Sequence, residues 1–409
     1  MRTPAPAPTP SSAPQGTTRI VLTGILALAV AMGIGRFAFT PLLPLMLRDG
    51  NLDGAGGAEW AAANYIGYLL GAITAPRIGR DPVWGLRVAL WGVALTTFAV
   101  GVLAGPQLNA AGAVLRLAAG VFSAWCLVCA SSWCLAELAR RGAAQRSAWV
   151  YTGVGFGICI TGVLTWAGGA QPARALWLEL GAVAAAGALL ASLQRLETST
   201  PPVAPHSATR GTAPAAPGRW ALVFCYGSFG FGYIVPATFL PAMGRAQVAD
   251  PAVFGISWPL FGLAAALSVA AAARWLARRP RRTVWALAQA SMALGTGVLL
   301  VSQALWALAI SAVLVGGTFM VATMAGLQLA REHAPENPTP LLARMTVAFA
   351  LGQIAGPLLV RALGPARYGG HDALWWSNAA ATGLLALTAV WLALPARARL
   401  PAHPSGEST

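Results

Sequence analysis

Three ionisable residues lie inside long apolar stretches of this sequence. Arg36 follows two glycines and precedes two prolines in "MGIGRFAFTPLLPLM", residues 32–46, and Arg116 and Glu179 lie in two later apolar stretches. A charged side chain in hydrocarbon costs at least about 2–3 kcal/mol, so such residues are usually retained for a function. We therefore take these three residues as the first candidates for chemistry.

The two arginines are suited to binding anions. A buried guanidinium holds an anionic group by charge-assisted and often bidentate hydrogen bonds, and this is one hypothesis for Arg36. The alternative is structural: Arg36 binds main-chain carbonyls that the prolines of the same stretch set free. For Arg116, in "RLAAG", the same two roles are open, and the structural one is favoured.

Three uncharged polar residues in apolar stretches, Asn64, Tyr233 and Gln353, are candidates for contact with a small-molecule solute. Their alternative role is an interhelical hydrogen bond worth roughly 1 kcal/mol. Glu179 is the candidate for coupling transport to a proton, because the four histidines fall in predicted loops or tails. If Glu179 does not titrate, the driving ion is handled by Arg36 with the solute, or transport is exchange or facilitated diffusion.

The sequence predicts no metal site, no cofactor and no enzyme. Its five cysteines are an odd number within apolar stretches, which is not typical of a disulfide framework, and packing explains them best. No phosphate loop or nucleotide-binding motif occurs, and no histidine, cysteine and carboxylate cluster meets at one predicted membrane face.

The elements that position these residues are membrane helices. Of 409 residues 57% are hydrophobic and only 10% charged, with a mean hydropathy of +0.64. Apolar runs of about 20 residues recur, as spanning a bilayer by helix requires. They predict twelve helices, numbered α1 to α12, at 19–47, 58–77, 84–104, 110–136, 147–168, 173–193, 220–243, 253–276, 283–301, 304–330, 341–363 and 373–394.

The charge pattern predicts the topology of these helices. The net charge of +15 comes from 27 arginines and no lysine. With the predicted bounds of α1 to α12, twenty arginines fall on one side of the membrane and five on the other, and Arg36 and Arg116 lie within it. The positive-inside rule then places both termini in the cytoplasm. We expect a cytoplasmic tail at 1–18, six-helix bundles at 19–193 and 220–394, a proline-rich linker at 194–219 and a second tail at 395–409. The basicity therefore indicates a lipid bilayer and no nucleic acid as partner.

An internal repeat supports two related halves. Shifting the sequence by 197 positions aligns "GIGRFAFTPLLPLM" with "GFGYIVPATFLPAM", residues 230–243, so that α1 and α7 look like copies. Arg36 then aligns with Tyr233. Six-plus-six repeats are typical of secondary transporters that bind their solute near the midplane.

The chain resembles the major facilitator superfamily, and within it the YbfB/YjiJ-like (MFS_4) group. The similarity is carried by "GIGRFAFTPLLPLM" in α1, "ANYIGYLLGA" in α2, "YGSFGFGYIVPATFLP" in α7, "GGTFMVATMAGLQLAR" in α10 and "GQIAGPLL" in α11. It implies an all-α fold of two pseudo-symmetric six-helix bundles. It also implies that α1, α4, α7 and α10 line a central cavity, which would bring Arg36, Arg116, Tyr233 and Gln328 towards it.

The loop between α2 and α3 departs from the superfamily pattern. "GAITAPRIGRD" keeps Arg77, Gly79 and Arg80 of the gating loop but lacks the usual aspartate, and Asp81 comes later. The arginines remain candidates for bridging to the other half.

From the residues and the resemblance we expect a monomeric secondary transporter in the inner or plasma membrane. Its cargo would be a small anionic or amphipathic solute, moved by alternating access, with export favoured by family association. A polytopic membrane enzyme and a receptor or scaffold without transport are the alternatives.

Overall fold

A computed structural model describes residues 13–103, 106–194, 217–248, 250–275, 279–334 and 339–394. Within these ranges the regular secondary structure is helical, and one isolated β-bridge joins Tyr368 and His371. The twelve predicted helices are confirmed. Of the predicted tail 1–18, residues up to 12 lie outside the described residues, whereas 13–18 belong to the first helix. Of the predicted linker 194–219, residues 195–216 lie outside them and 217–219 begin the seventh helix; the tail 395–409 also lies outside them.

The first half contains α1 (Ala13–Leu28, Ala29–Arg36 and Phe39–Arg48), α2 (Gly54–Ile78), α3 (Pro82–Val102), α4 (Pro106–Arg140), α5 (Ser147–Val150 and Thr152–Ala167) and α6 (Ala173–Leu193). The second half contains α7 (Pro217–Gln247), α8 (Pro251–Phe254 and Ser257–Trp275), α9 (Arg281–Val301), α10 (Leu305–His333), α11 (Thr339–Leu363) and α12 (Ala373–Ala393).

Eleven of the twelve helices are long and apolar enough to cross a membrane, judged by length and composition within the described residues. The exception is α2, which carries Glu59, Asn64, Tyr65 and Tyr68. Two of these polar side chains, Asn64 and Tyr65, are buried in the protein, so α2 does not expose them to lipid.

The helix α1 is not a regular α-helix. Its middle segment, Ala29–Arg36, is π-helical, and the amide of Phe37 donates to the carbonyl of Met32, five residues earlier, at 3.0 Å. π turns inside α-helices are frequently found at functional sites. The sequence did not indicate this π segment, which ends at Arg36.

The two halves pack through α1 with α7, α2 with α11, and α5 with α8. Small residues allow this approach: a Cβ on Gly155 of α5 would lie 2.3 Å from the amide nitrogen of Ala266 in α8. Gly155 therefore permits the close packing of α5 on α8.

One end of the interface between the halves is closed by hydrogen bonds. The Thr40 hydroxyl donates to the carbonyl of Ala237 at 2.8 Å, and the hydroxyls of Tyr65 and Thr238 lie 2.9 Å apart. We call this the closed end; it carries the α1–α2, α5–α6, α7–α8 and α11–α12 connections. The opposite end, which carries the α2–α3, α4–α5 and α10–α11 connections, we call the open end.

Candidate functional site

A cavity of about 530 Å³ lies between the halves and runs from Arg36 to the open end. Its mouth is marked by Leu135 of α4 and Arg331 of α10, both exposed. Its volume is that of a small-molecule site. The lining side chains come from α1, α2, α4, α5, α7, α10 and α11: Met32, Arg36, Phe37, Tyr68, Leu127, Val128, Ser131, Ser132, Leu135, Ser147, Ala148, Tyr151, Val154, Tyr233, Phe319, Met320, Thr323, Met324, Leu327, Gln328, Arg331 and Phe349.

Arg36 is the one charged side chain that lines the inner part of this cavity, and it is 3% exposed. Its Nη2 donates to Oε1 of Gln353 at 2.6 Å, and the guanidinium carbon lies 3.8 Å from the centre of the Tyr68 ring. Its Nε has no hydrogen-bond partner among the described atoms. The guanidinium is therefore oriented by an amide and a ring, and it keeps an unused donor.

Gln353 connects Arg36 to the second half. Its Nε2 donates to the hydroxyl of Tyr233, and the Gln353 side chain is fully buried. Arg36 and Tyr233, which occupy equivalent positions in the sequence repeat, are thus linked through one amide. The structure brings these three predicted site residues together.

Aromatic rings form one wall of the cavity. The Tyr233 ring stacks on Phe319 with 5.4 Å between centres and on Phe349 with 5.7 Å, at interplanar angles of 6° and 9°. Met320 and Met324 continue the apolar surface towards the mouth. Aromatic faces and thioethers provide adaptable apolar contact for a planar or irregular solute.

Arg116 has a different environment from Arg36. Its Nη1 and Nη2 donate to the carbonyls of Gly35 and Arg36 at 3.0 and 2.9 Å, and it does not line the cavity. The Asn64 amide donates to the Arg116 carbonyl at 2.8 Å. These contacts support structural roles for Arg116 and Asn64. The carbonyl-binding role considered for Arg36 is found at Arg116 instead, and the two carbonyls belong to the last two residues of the π segment of α1.

The other predicted site residues lie away from the cavity. Glu179 is exposed on α6, and the structure does not bring it to Arg36. Arg77 and Arg80 are exposed at the open end, and the Gly79 amide ends α2 by donating to Ala75 O at 2.8 Å. Asp81 accepts hydrogen bonds from the first amides of α3, as an N-cap does.

Several lining residues were missed by sequence reasoning. Tyr68 follows Asn64 by four positions and so lies on the same face of α2, a spacing that could have identified it. Gln328 does line the cavity, as the resemblance implied. Arg331 was counted only as a topology signal, yet it borders the mouth.

No group of three or more His, Cys, Asp or Glu side chains that could hold a metal occurs in the described ranges. The five cysteines are free, and all except Cys159 are buried. The residues that face the cavity can bind an anion and an apolar body; their side chains provide hydrogen bonds, charge and ring faces.

The comparisons with known proteins agree with this architecture. A family model described as "Uncharacterised MFS-type transporter YbfB" matches residues 28–370. No curated protein matches the sequence.

Solved structures show the same fold at low identity. A mutant of the nucleoside transporter NupG is 14% identical, with a TM-score of 0.70 over 91% of this chain and 98% of that one. A D-xylose-proton symporter is 14% identical, with a TM-score of 0.68 over 92% and 97%. A bacterial homolog of the human lysosomal transporter Spinster, inward-facing and occupied, is 14% identical, with a TM-score of 0.64 over 92% and 96%.

Proposed function

Because the chain belongs to the MFS-type transporter family described under YbfB, we propose that it moves a small amphipathic anion across the membrane and binds it at Arg36. The family and the fold are those of secondary transporters. The nature of the cargo, the transported solute, comes from the cavity.

The observation that carries this proposal is the buried guanidinium of Arg36 at the inner end of the cavity. Burial makes a charge–charge contact stronger than in water, so an anionic group placed there gains affinity from Arg36. The unused Nε is a donor that a carboxylate or sulfonate oxygen would accept from. Tyr233 and Gln353 are proposed as further contacts of the same cargo group.

The remainder of the cavity favours an apolar body on the cargo. The stacked rings of Phe319, Tyr233 and Phe349 offer flat faces, and ring stacking adds roughly 0.5–1.5 kcal/mol beyond the burial of area. A hydrophilic anion without such a body would leave these surfaces without a partner. We therefore propose an aromatic or similarly flat monoanion as the cargo class.

The direction of opening follows from the arginines. We propose that the open end faces the cytoplasm, because it carries the connections richest in arginine. The cavity is then an inward-facing state, and alternating access would open the closed end by separating contacts such as that of Thr40 with Ala237. The same proposal includes export, a monomeric state and a location in the inner or plasma membrane with both termini in the cytoplasm.

A binding experiment with a matched pair of probes tests the proposal. The anion 2-naphthalenesulfonate and the neutral 2-naphthalenesulfonamide share one ring system, and equilibrium dialysis against protein in nanodiscs measures both. A charge-assisted hydrogen bond contributes about 1.5–3 kcal/mol, so Arg36→Gln should raise the Kd of the sulfonate roughly 10- to 150-fold.

The control is Arg344→Gln, since Arg344 is an exposed arginine over the Trp220 ring, at 5.2 Å, outside the cavity. It should leave the Kd within twofold of the wild-type value. The affinity for the neutral probe should be lower and equal in all three proteins. Sulfonate binding that survives Arg36→Gln unchanged, or no sulfonate binding to the wild type, would refute the proposal.

A further inference from the structure

The Arg36–Gln353 hydrogen bond joins the two halves at the inner end of the cavity. Arg36 belongs to α1 of the first half and Gln353 to α11 of the second, and they are 317 positions apart. The amide oxygen of Gln353, 2.6 Å from Nη2, lies where an oxygen of an anionic cargo would have to lie to reach that nitrogen. The Gln353 oxygen and an oxygen of an anionic cargo would therefore compete for the same nitrogen of Arg36.

Gln353 fills that place without supplying a charge. The contacts that the structure gives the Arg36 guanidinium are an amide oxygen and the rings of Phe37, Tyr65 and Tyr68, all of them uncharged. A second guanidinium, that of Arg116, is bound to the Arg36 carbonyl. The described side chains in contact with Arg36 therefore supply no negative charge, and the positive charge of Arg36 is in excess among them.

This excess charge has different consequences in the open and the closed states. While the cavity is open, water that enters it can approach the guanidinium and stabilise its charge, although only 3% of the Arg36 surface is exposed to direct contact. When the halves rock and the cavity becomes occluded, the charge loses that water, and its neutral partners do not compensate for it. An anionic cargo that replaces only the Gln353 oxygen at Nη2 neutralises the guanidinium and removes this cost, and the Gln353 Nε2 remains a donor for the cargo group.

This inference rests on the proposed function: we propose that the protein is an obligatory anion exchanger. Its binding site changes from one side of the membrane to the other when an anion is bound, and the carrier without an anion does not make the return change. Each anion that leaves is replaced by one that enters, so one-for-one exchange of monoanions moves no net charge. Gln353 is a positioning residue: it holds Arg36 aimed at the cavity between two cargo molecules. The cost of occluding an unneutralised arginine slows the empty return by roughly two orders of magnitude.

The test uses proteoliposomes loaded with 2-naphthalenesulfonate, whose fluorescence reports efflux. We expect wild-type efflux to be at least about 30-fold faster when 2-naphthalenesulfonate is present outside than in plain buffer, consistent with the slow empty return. External 2-naphthalenesulfonamide should not accelerate efflux, because it is neutral. A membrane potential set with valinomycin and potassium should leave the exchange rate unchanged.

The critical variant is Gln353→Glu. It puts a carboxylate next to Arg36 in place of the amide oxygen, so the empty carrier becomes neutral at this point and can return. Efflux into plain buffer should rise until the stimulation by external anion falls to within about threefold, and the Kd of the sulfonate should increase because the carboxylate competes for Arg36. The control is Gln353→Met, which is neutral, cannot accept the hydrogen bond and should keep the dependence on external anion.

The outcomes separate this inference from the proposed function. Equal wild-type efflux with and without external anion overturns obligatory exchange, even if the sulfonate binds at Arg36. Obligatory exchange is likewise overturned if Gln353→Glu, shown to be monodisperse, still needs external anion for efflux. If the sulfonate does not bind in an Arg36-dependent way, the proposed function fails and the exchange mechanism fails with it.

Discussion

Replacing Arg116 should destabilise the fold, whereas replacing Arg36 should not. Arg116 is 2% exposed and donates two hydrogen bonds to carbonyls of α1 at 3.0 and 2.9 Å. Two such charge-assisted bonds contribute about 3–6 kcal/mol together, and removal of a buried charge offsets part of their loss. For Arg116→Met, which preserves the apolar contact with Phe39 and Trp177, we expect a net loss of about 3 kcal/mol.

In large proteins the Tm falls by about 2 °C for each kcal/mol lost from the free energy of unfolding, so the expected fall for Arg116→Met is roughly 6 °C. A thiol-reactive dye measures it in detergent, because four of the five cysteines are buried and become reactive only on unfolding. Arg116→Lys should be intermediate, since one ammonium replaces the two-pronged contact. Arg36→Met should keep the wild-type Tm within about 2 °C, because it gives up one bond to an uncharged partner and also removes a buried charge. Equal falls in Tm for Arg36→Met and Arg116→Met would refute the division of roles.

Three further outcomes follow from local geometry. Gly120→Ala should lower the free energy of unfolding by about 2 kcal/mol or more, because its Cβ would lie 2.1 Å from a main-chain oxygen of α2. Gly383→Ala, with open space around its Cβ, should be tolerated, and the yield of monodisperse protein compares the two variants. Tyr68→Leu should weaken sulfonate binding roughly 2- to 30-fold by removing the ring over Arg36, and Tyr68→Phe should retain the affinity, both measured by dialysis. Burial alone would raise the pKa of Asp49, but hydrogen bonds from the preceding arginine and from the first amide of α6 outweigh it and hold the pKa below 3.8. The stability that the lowered pKa provides is present above pH 3.8 and is lost as the pH falls through the lower pKa of the folded protein. Tryptophan fluorescence should show this loss in the wild type, and Asp49→Asn should lack it.

The helices were predictable because the bilayer sets both their length and their composition. The predicted range of α6 agrees with the observed Ala173–Leu193, and α4 differs only by a few residues at each end, observed as Pro106–Arg140. The differences arise where helices continue into water, because polar turns there carry no hydropathy signal. The resemblance to the MFS_4 group is confirmed by the family match over residues 28–370.

The site was predictable in part, because a sequence shows how deep a charge lies but not which way its side chain points. Arg36 and Arg116 share the same chemistry and lie in equally apolar stretches, yet only Arg36 lines the cavity. Arg36 ends the π segment Ala29–Arg36, and Arg116 donates to the carbonyls of the last two residues of that segment; hydropathy does not reveal such a segment. The sequence likewise did not show the direction of the Glu179 side chain. Its position in α6 is compatible with either face, and the structure places it on the exposed one.

The sequence repeat shows why a single arginine, Arg36, lies between the two halves at the inner end of the cavity. Thr40 donates to the carbonyl of Ala237, and these positions differ by 197, the same shift that aligns α1 with α7. Equivalent points of the two halves therefore meet at the closed end, as they do near a pseudo-twofold axis. At the next equivalent pair towards the cavity the symmetry is broken: Arg36 lies on one side, Tyr233 on the other, and Gln353 between them. Two arginines there would repel each other, and two tyrosines would offer an anion no charge, so the unequal pair is the arrangement that suits the proposed anion site.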